Sequence, residues 1–180
     1  AHLTLGVEPD MAVFSKALGN GYPISAVLGR RDVMAAAQST FISSTNWTSR
    51  VGFTAGLAMI ERYQQLGLET HLDAIGKGVR SAWRAASDKH GVPITIGGLV
   101  PLSYFAFTED YTLQKALFID IMMDHGILAS TSFYSMGAHT TAMVERYAAA
   151  VDDAFGQIAA GDIENRLRGA PSKVGFGRIA

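Results

Sequence analysis

The sequence predicts an α/β chain: the edge of a covered sheet with its helices, followed by a small α+β unit. Three observations carry this. Two short apolar runs, Met11–Ser15 and Ile24–Leu28, flank a glycine-rich turn and read as buried strands of parallel type. Two stretches of helical periodicity follow, from about Thr48 to Leu66 and from about Glu69 to His90. Beyond His90 the spacing switches between strand and helix over short segments. Two strands do not make a covered sheet alone. The expected division is therefore 1–66 as the end of a larger α/β domain and 67–180 as the α+β unit, with the chain read as a portion of a longer fold.

Each element has a local reason. The first run stops abruptly at Lys16, and Gly19, Asn20, Gly21 and Pro23 mark a turn before the second run, which Gly29 closes. Asp32 is placed to cap a short helix through Val33, Met34 and the alanines after them. Thr40–Trp47 is a Ser/Thr/Asn-rich loop. Gly67 ends the first long helix and Gly91 the second. Pro93–Ile96 and Leu102–Thr108 read as strands, the latter rich in aromatics, with Gly97-Gly98 as the turn between them. Leu113–His125 has helical spacing and ends at Gly126; Ile127–Ala129 is a candidate short strand. His139–Ala159 is the last long helix, with Thr140 or Thr141 near its start, and the basic, glycine-rich tail from Gly161 carries no expected core element.

Composition excludes several classes of function. Lysines and arginines number 15 against 16 acidic residues, so nothing in the charge favours nucleic acid or an anionic membrane. No run of about 18 apolar residues is present. With no cysteine, disulfides, thiol nucleophiles and thiolate metal sites are absent. The five histidines are scattered without metal-ligand spacing. Ala1–Asp10 has neither the basic start nor the apolar run of a secretory signal, and a cytoplasmic location is the default expectation.

Lys16 is the residue with chemistry in it. A lysine closing an apolar strand before a glycine turn is, taken alone, most often a surface group whose stem packs and whose ammonium stays wet. A desolvated lysine is different: it loses its proton near neutral pH and attacks carbonyl carbon. The longer string decides between them. Gly6-Val7-Glu8-Pro9-Asp10 followed by Met11-Ala12-Val13-Phe14-Ser15-Lys16-Ala17-Leu18-Gly19-Asn20-Gly21-Tyr22-Pro23 resembles the lysine segment of class III aminotransferases, which use pyridoxal phosphate. The resemblance implies that Lys16 forms the internal aldimine with that cofactor and then moves a proton between the substrate α-carbon and the cofactor.

Ser43-Ser44-Thr45-Asn46-Trp47-Thr48, running into Ala55-Gly56-Leu57-Ala58, lies where that family has its threonine segment. On the resemblance, Thr45 binds the cofactor phosphate of the neighbouring subunit, with Ser44 a candidate beside it. A hydroxyl-rich loop before a helix N-terminus suits an anion; read alone, it is an ordinary helix cap. This chain departs from the family by having Trp47-Thr48-Ser49-Arg50 in place of a G-N-P stretch. Asp124-His125-Gly126-Ile127-Leu128, Ala138-His139-Thr140 and the tail Leu167-Arg168-Gly169 with Val174–Ile179 resemble later family segments, the tail that of the glutamate-1-semialdehyde-aminomutase-like branch.

The resemblance implies the type I fold of pyridoxal-phosphate transferases, here the C-terminal part of the large domain plus the small α+β domain. It also implies a homodimer in which Thr45 serves the partner, and small-molecule substrates: an amino donor and a carbonyl acceptor. The aspartate on the pyridine nitrogen, the ring-stacking aromatic and most of the phosphate cup are expected before Ala1, so residues 1–180 alone are expected to be inactive. Three functions fit: a transaminase, which Asn20-Gly21-Tyr22-Pro23 favours; an aminomutase (an isomerase) using the same half-reactions; and a non-catalytic dimerising remnant.

Overall fold

The computed structural model describes residues 2–171. The chain forms two compact units, Ala1–Leu68 and Glu69–Ala180.

The first unit begins with a single helical turn, α1 (His2–Leu5), followed by β1 (Met11–Phe14), a 3-10 turn at Lys16–Leu18 and β2 (Ala26–Gly29). Then come α2 (Arg31–Met34), which tightens into a 3-10 segment at Ala35–Ser39, a loop, and α3 (Arg50–Gln65). The strands pair antiparallel, Met11 opposite Gly29 and Phe14 opposite Ala26. This corrects the expectation of strands of parallel type. The connection from Phe14 to Ala26 folds straight back on itself, and parallel pairing needs a crossover of a dozen or more residues. The strands are also largely open to solvent. Asp32 does not cap α2, which starts after Arg30 with no side-chain cap; its carboxylate instead accepts from the Arg30 guanidinium at 2.9 Å. Arg30 also reaches Asp10 at 3.3 Å, and both pairs are exposed, so each contributes little to stability.

Among the described residues of this unit, the three fully buried ones are Gly19, Gly52 and Gly56. Its cohesion comes from backbone packing close to backbone, not from a cluster of side chains.

The second unit is built differently. It consists of α4 (Leu68–His90), β3 (Ile94–Leu99), β4 (Leu102–Phe107), α5 (Tyr111–Asp124), β5 (Ser132–Tyr134), α6 (Thr141–Ala159) and α7 (Ile163–Arg166). The sheet runs β3-β4-β5, antiparallel throughout, with Gly97 opposite Tyr104 and Ser103 opposite Phe133. Alternate residues of β4, namely Ser103, Phe105 and Phe107, are buried on one face. The two phenylalanines join Trp83 of α4, Phe118 and Met122 of α5 and Phe155 of α6 in a single apolar cluster. Phe105 sits at its centre, its ring 4.9 Å from Trp83 and 5.3 Å from Phe118. Trp83 and Tyr147 meet the requirement that buried polar atoms be paired: Nε1–H of Trp83 donates to the Tyr147 hydroxyl at 2.9 Å. Arg80 of α4 ties the sheet down, donating to Ser103 Oγ at 2.6 Å and to the Gly98 carbonyl at 2.6 Å.

Three local expectations are corrected here. Gly97 and Gly98 lie inside β3, and the turn falls at Val100-Pro101. Ile127–Ala129 is not a strand; pairing with β4 is made by Ser132–Tyr134. The single turn α7 stands in the tail where no element was expected. Thr140 caps α6, its hydroxyl accepting from the Met143 amide at 3.3 Å. The tail string Val174–Ile179 lies outside the described residues. Among the described residues, no helix is long and apolar enough to cross a membrane.

Candidate active site around Lys16

Lys16 stands two residues past the end of β1 and opens the 3-10 turn. Its backbone is left-handed, with φ 50°. For a residue with a side chain this costs on the order of 1–2 kcal/mol, and such strain concentrates where a site needs a fixed direction. The Lys16 carbonyl accepts from the amides of Gly19 and Asn20, each at 3.1 Å, and the Tyr22 amide donates to the Gly19 carbonyl at 3.1 Å. Asn20 is also left-handed, with φ 45°. The turn is thus wound tightly enough to hold the strain.

Its seat is a pair of glycines on α3. A β-carbon on Gly52 would lie 2.6 Å from the Pro23 carbonyl oxygen, and one on Gly56 would lie 3.5 Å from Ile24 Cδ1. Within the turn, a β-carbon on Gly19 would lie 2.0 Å from the Tyr22 carbonyl oxygen. Glycine is required at 19 and 52 by close approach. The turn and α3 form one backbone-packed block, with the lysine at its edge.

Lys16 lines an open concavity of about 980 Å³. The turn contributes Ser15 and Tyr22, the loop Ser44, Asn46 and Trp47, and the first turn of α3 contributes Phe53. Ser44 is therefore brought to the same wall as Lys16. Thr45 is not: it is exposed and lies off that concavity. The loop closes on its own backbone, the Trp47 amide donating to the Ser44 carbonyl at 3.2 Å and the Ser49 amide to the Asn46 carbonyl at 3.1 Å. No side chain caps α3, so its first-turn N–H groups lack a side-chain acceptor among the described residues. The sequence did not point to Asn46 or Tyr22 as wall residues, nor to the left-handed lysine. The one available signal was Asn20-Gly21, a pair that tolerates positive φ.

A second, smaller cavity of about 530 Å³ lies within the other unit, lined by Leu128, Phe133, Tyr134, His139 and Met143 among others. His139 Nδ1 accepts from the Met136 amide at 3.1 Å, and its ring stacks on Phe133 with centroids 5.0 Å apart. Burial, and then the neighbouring His71, push its pKa below the ordinary histidine value. Among the described residues no group of His, Asp or Glu is arranged to hold a metal ion.

Comparison with known proteins gives this geometry a family. The FumI protein of Sphingopyxis sp. MTA144, solved in its pyridoxal-phosphate internal aldimine form, superposes with a TM-score of 0.80 at 27% identity, over 93% of this chain and 41% of that one. A β-phenylalanine aminotransferase from Variovorax paradoxus gives 0.75 at 24% identity, over 89% and 41%. An ω-transaminase from Sphaerobacter thermophilus gives 0.76 at 20%, over 89% and 41%. The chain spans about two fifths of the length of these proteins. Its fold is that of a part of the type I pyridoxal-phosphate transferases. The description "aminotransferase class-III" belongs to the family model that matches residues 1–154, and pyridoxal phosphate is that family's cofactor. With its lysine turn and α3 both inside the matched span, the chain belongs to the class III aminotransferase family.

Proposed function

We propose that Lys16 is the amine that holds pyridoxal phosphate. The whole protein then transfers an amino group from an amino donor to a ketone or aldehyde. One observation carries the reading: an exposed lysine, fixed in a left-handed turn, on the wall of a concavity large enough for a cofactor and a small substrate.

The residues present fit the group. An amine and the side chains of Ser44 and Asn46 share one wall, offering a nucleophile together with hydroxyl and amide donors. When bound, pyridoxal phosphate supplies an aldehyde that condenses with amines and a ring that draws electrons from the substrate α-carbon. Lys16 Nζ would hold the cofactor through its aldehyde carbon, and as a free amine it would carry the proton from the substrate α-carbon to that former aldehyde carbon. Its strained backbone limits the directions in which Nζ travels. Ser44, on the Lys16 wall, serves the cofactor held by this chain, whereas the Thr45 hydroxyl, off the Lys16 concavity and exposed, donates to the cofactor phosphate of a second subunit. That role makes the working unit a homodimer. Asn20-Gly21-Tyr22-Pro23 supports transamination over the aminomutase alternative.

The test uses the full-length protein with pyridoxal phosphate, its absorption followed before and after borohydride reduction, beside a Lys16→Ala variant. Reduction is expected to fix the cofactor on the Lys16 peptide and to fix none in the variant. Cofactor fixed elsewhere, or equally in both proteins, sinks the reading.

A further inference from the structure

The direction of the Lys16 side chain is set by its backbone and not by a partner. Among the described residues of this unit, side-chain hydrogen bonds and ion pairs are donated by Arg30, Ser39, Thr40 and Thr54, and none reaches the Lys16 ammonium. The left-handed φ of 50° therefore decides where Nζ points. Rotation about N–Cα swings the Cα–Cβ bond, so a return to the extended φ of about −120° would carry the stem to nearly the opposite side of the chain. The feature that keeps this φ positive is the feature that aims the amine.

Two successive turns keep it so. In the first, the Lys16 carbonyl accepts from the Gly19 and Asn20 amides, each at 3.1 Å. In the second, the Gly19 carbonyl accepts from the Tyr22 amide at 3.1 Å, across Asn20 at φ 45° and Gly21 at φ 108°. Positive φ at both central residues is the mark of a type I′ turn, for which Asn-Gly is a favoured pair. Gly19 belongs to both turns: its amide holds Lys16, and its carbonyl is held by Tyr22. It is also closely confined, since a β-carbon there would lie 2.0 Å from the Tyr22 carbonyl oxygen. The type I′ turn thereby fixes Gly19, and Gly19 fixes Lys16.

The second turn depends on Asn20. Gly19 and Gly21 on either side admit many backbone conformations, so they permit this turn without selecting it. Asparagine tolerates the left-handed region, whereas a β-branched residue at such a φ is a steric outlier. The Asn20 side chain is absent from the side-chain bonds of the unit, so its contribution is conformational.

We propose that Asn20 is a positioning residue for Lys16: its left-handed backbone holds the type I′ turn that, through Gly19, keeps Nζ in its working direction. The proposal rests on Lys16 being the cofactor lysine. In the step it serves, the Nζ lone pair attacks the aldehyde carbon of pyridoxal phosphate. A C=N bond forms, and the aldehyde oxygen leaves as water with the two amine hydrogens. Asn20 acts on neither reacting atom, so its loss slows that step without weakening the first encounter of cofactor and protein.

The experiment uses the full-length protein freed of cofactor and mixed rapidly with pyridoxal phosphate at rising concentration. Absorption then gives a limiting rate of capture and a half-saturating concentration. Asn20→Val is expected to lower the limiting rate about tenfold or more, as a misplaced reacting group does, with half-saturation within about twofold of wild type. Hydrogen exchange at the Gly19 amide is expected to quicken in the same variant. Asn20→Gly is expected to recover most of the rate, because glycine enters the left-handed region freely. Thermal unfolding accompanies each protein, and Asn20→Ala, a milder change, replaces Asn20→Val if the latter does not fold. Capture at the wild-type rate by Asn20→Val overturns the proposal. An Asn20→Gly protein as slow as Asn20→Val overturns it too, since the side chain itself is then the contact, as does a loss confined to half-saturation. Wild-type protein in which borohydride fixes no cofactor on Lys16 removes the underlying reading instead.

Discussion

The Pro23 carbonyl oxygen lies 2.6 Å from the point at which a β-carbon on Gly52 would stand, and Ile24 Cβ lies 3.1 Å from it. Helix α3 and the turn that carries Lys16 are therefore in backbone contact. Gly→Ala inside a helix ordinarily stabilises by about 0.5–1 kcal/mol. Gly52→Ala is expected to do the reverse, destabilising by roughly 1–3 kcal/mol as the turn is forced away. Thermal unfolding of the full-length protein checks the sign, and its cofactor absorption checks that the turn has moved. A variant as stable as wild type, with full cofactor uptake, contradicts this packing.

Thr45→Ala is expected to weaken cofactor retention about tenfold, the worth of one hydrogen bond to a charged group. The reduced adduct on Lys16 still forms at saturating cofactor, and Thr45→Ser keeps the affinity. Equilibrium dialysis of the full-length protein measures this. Ser44→Ala serves as the comparison and is expected to lose less.

Trp83 and Tyr147 are coupled across the interior of the second unit by a hydrogen bond of 2.9 Å. Burial also drives the Tyr147 phenol pKa well above its ordinary value. Trp83→Phe leaves that hydroxyl unpaired and adds a cavity, and is expected to cost about 2–4 kcal/mol. In the Tyr147→Phe background the same change is expected to cost about 1 kcal/mol less, because no hydroxyl is stranded. Denaturant melts of the four proteins give the coupling; strict additivity refutes it.

His139 gives the stability a pH dependence whose sign follows from its environment. Burial and then His71 favour the neutral ring, so its folded pKa lies below the ordinary 6.5. The folded state takes up its proton later than the unfolded one. Stability from this group is therefore complete above about pH 6.5 and is lost as the pH falls below it toward the folded value. Protonation also removes the Nδ1 lone pair that accepts from the Met136 amide. His139→Asn keeps an acceptor and cannot titrate; the stability difference between it and wild type is expected to shift in the variant's favour below about pH 6.5. A constant difference from pH 5 to pH 8, a window about 6.5, means His139 is not the group responsible.

Helices proved the most readable part of the chain, because their signals are local. Gly91 and Gly126 take the positive φ of 66° and 68° that helix ends require, and Thr140 accepts at the start of α6. What failed was set by partners distant in sequence. Gly97 looks like a turn residue, yet it sits in β3 because a β-carbon there would lie 2.5 Å from the Tyr104 ring on the paired strand. Ile127–Ala129 has strand-like residues, but Ile127 and Ala129 pack on the apolar cluster, and Ser132–Tyr134 takes the ladder. The direction of β1 and β2 depends on how the turn folds back, which no period in either strand encodes. At the candidate site, Lys16 and Thr45 are proposed from resemblance to a family, not from their spacing. The convergence of Tyr22, Trp47 and Phe53 needed coordinates, since it joins three segments.

The placement of the two tryptophans has a practical consequence. Trp83 is 0% exposed and rests on Phe105, whereas Trp47 is open to solvent, and each lies in a different unit. Their intrinsic fluorescence is thereby separable: a blue-shifted, quencher-protected emission from Trp83 and a red-shifted, quencher-accessible one from Trp47. Within residues 1–180, replacing one or the other of these two tryptophans leaves a single optical reporter in each unit. One follows the melting of the aromatic interior, and the other follows whatever comes to rest beside Lys16.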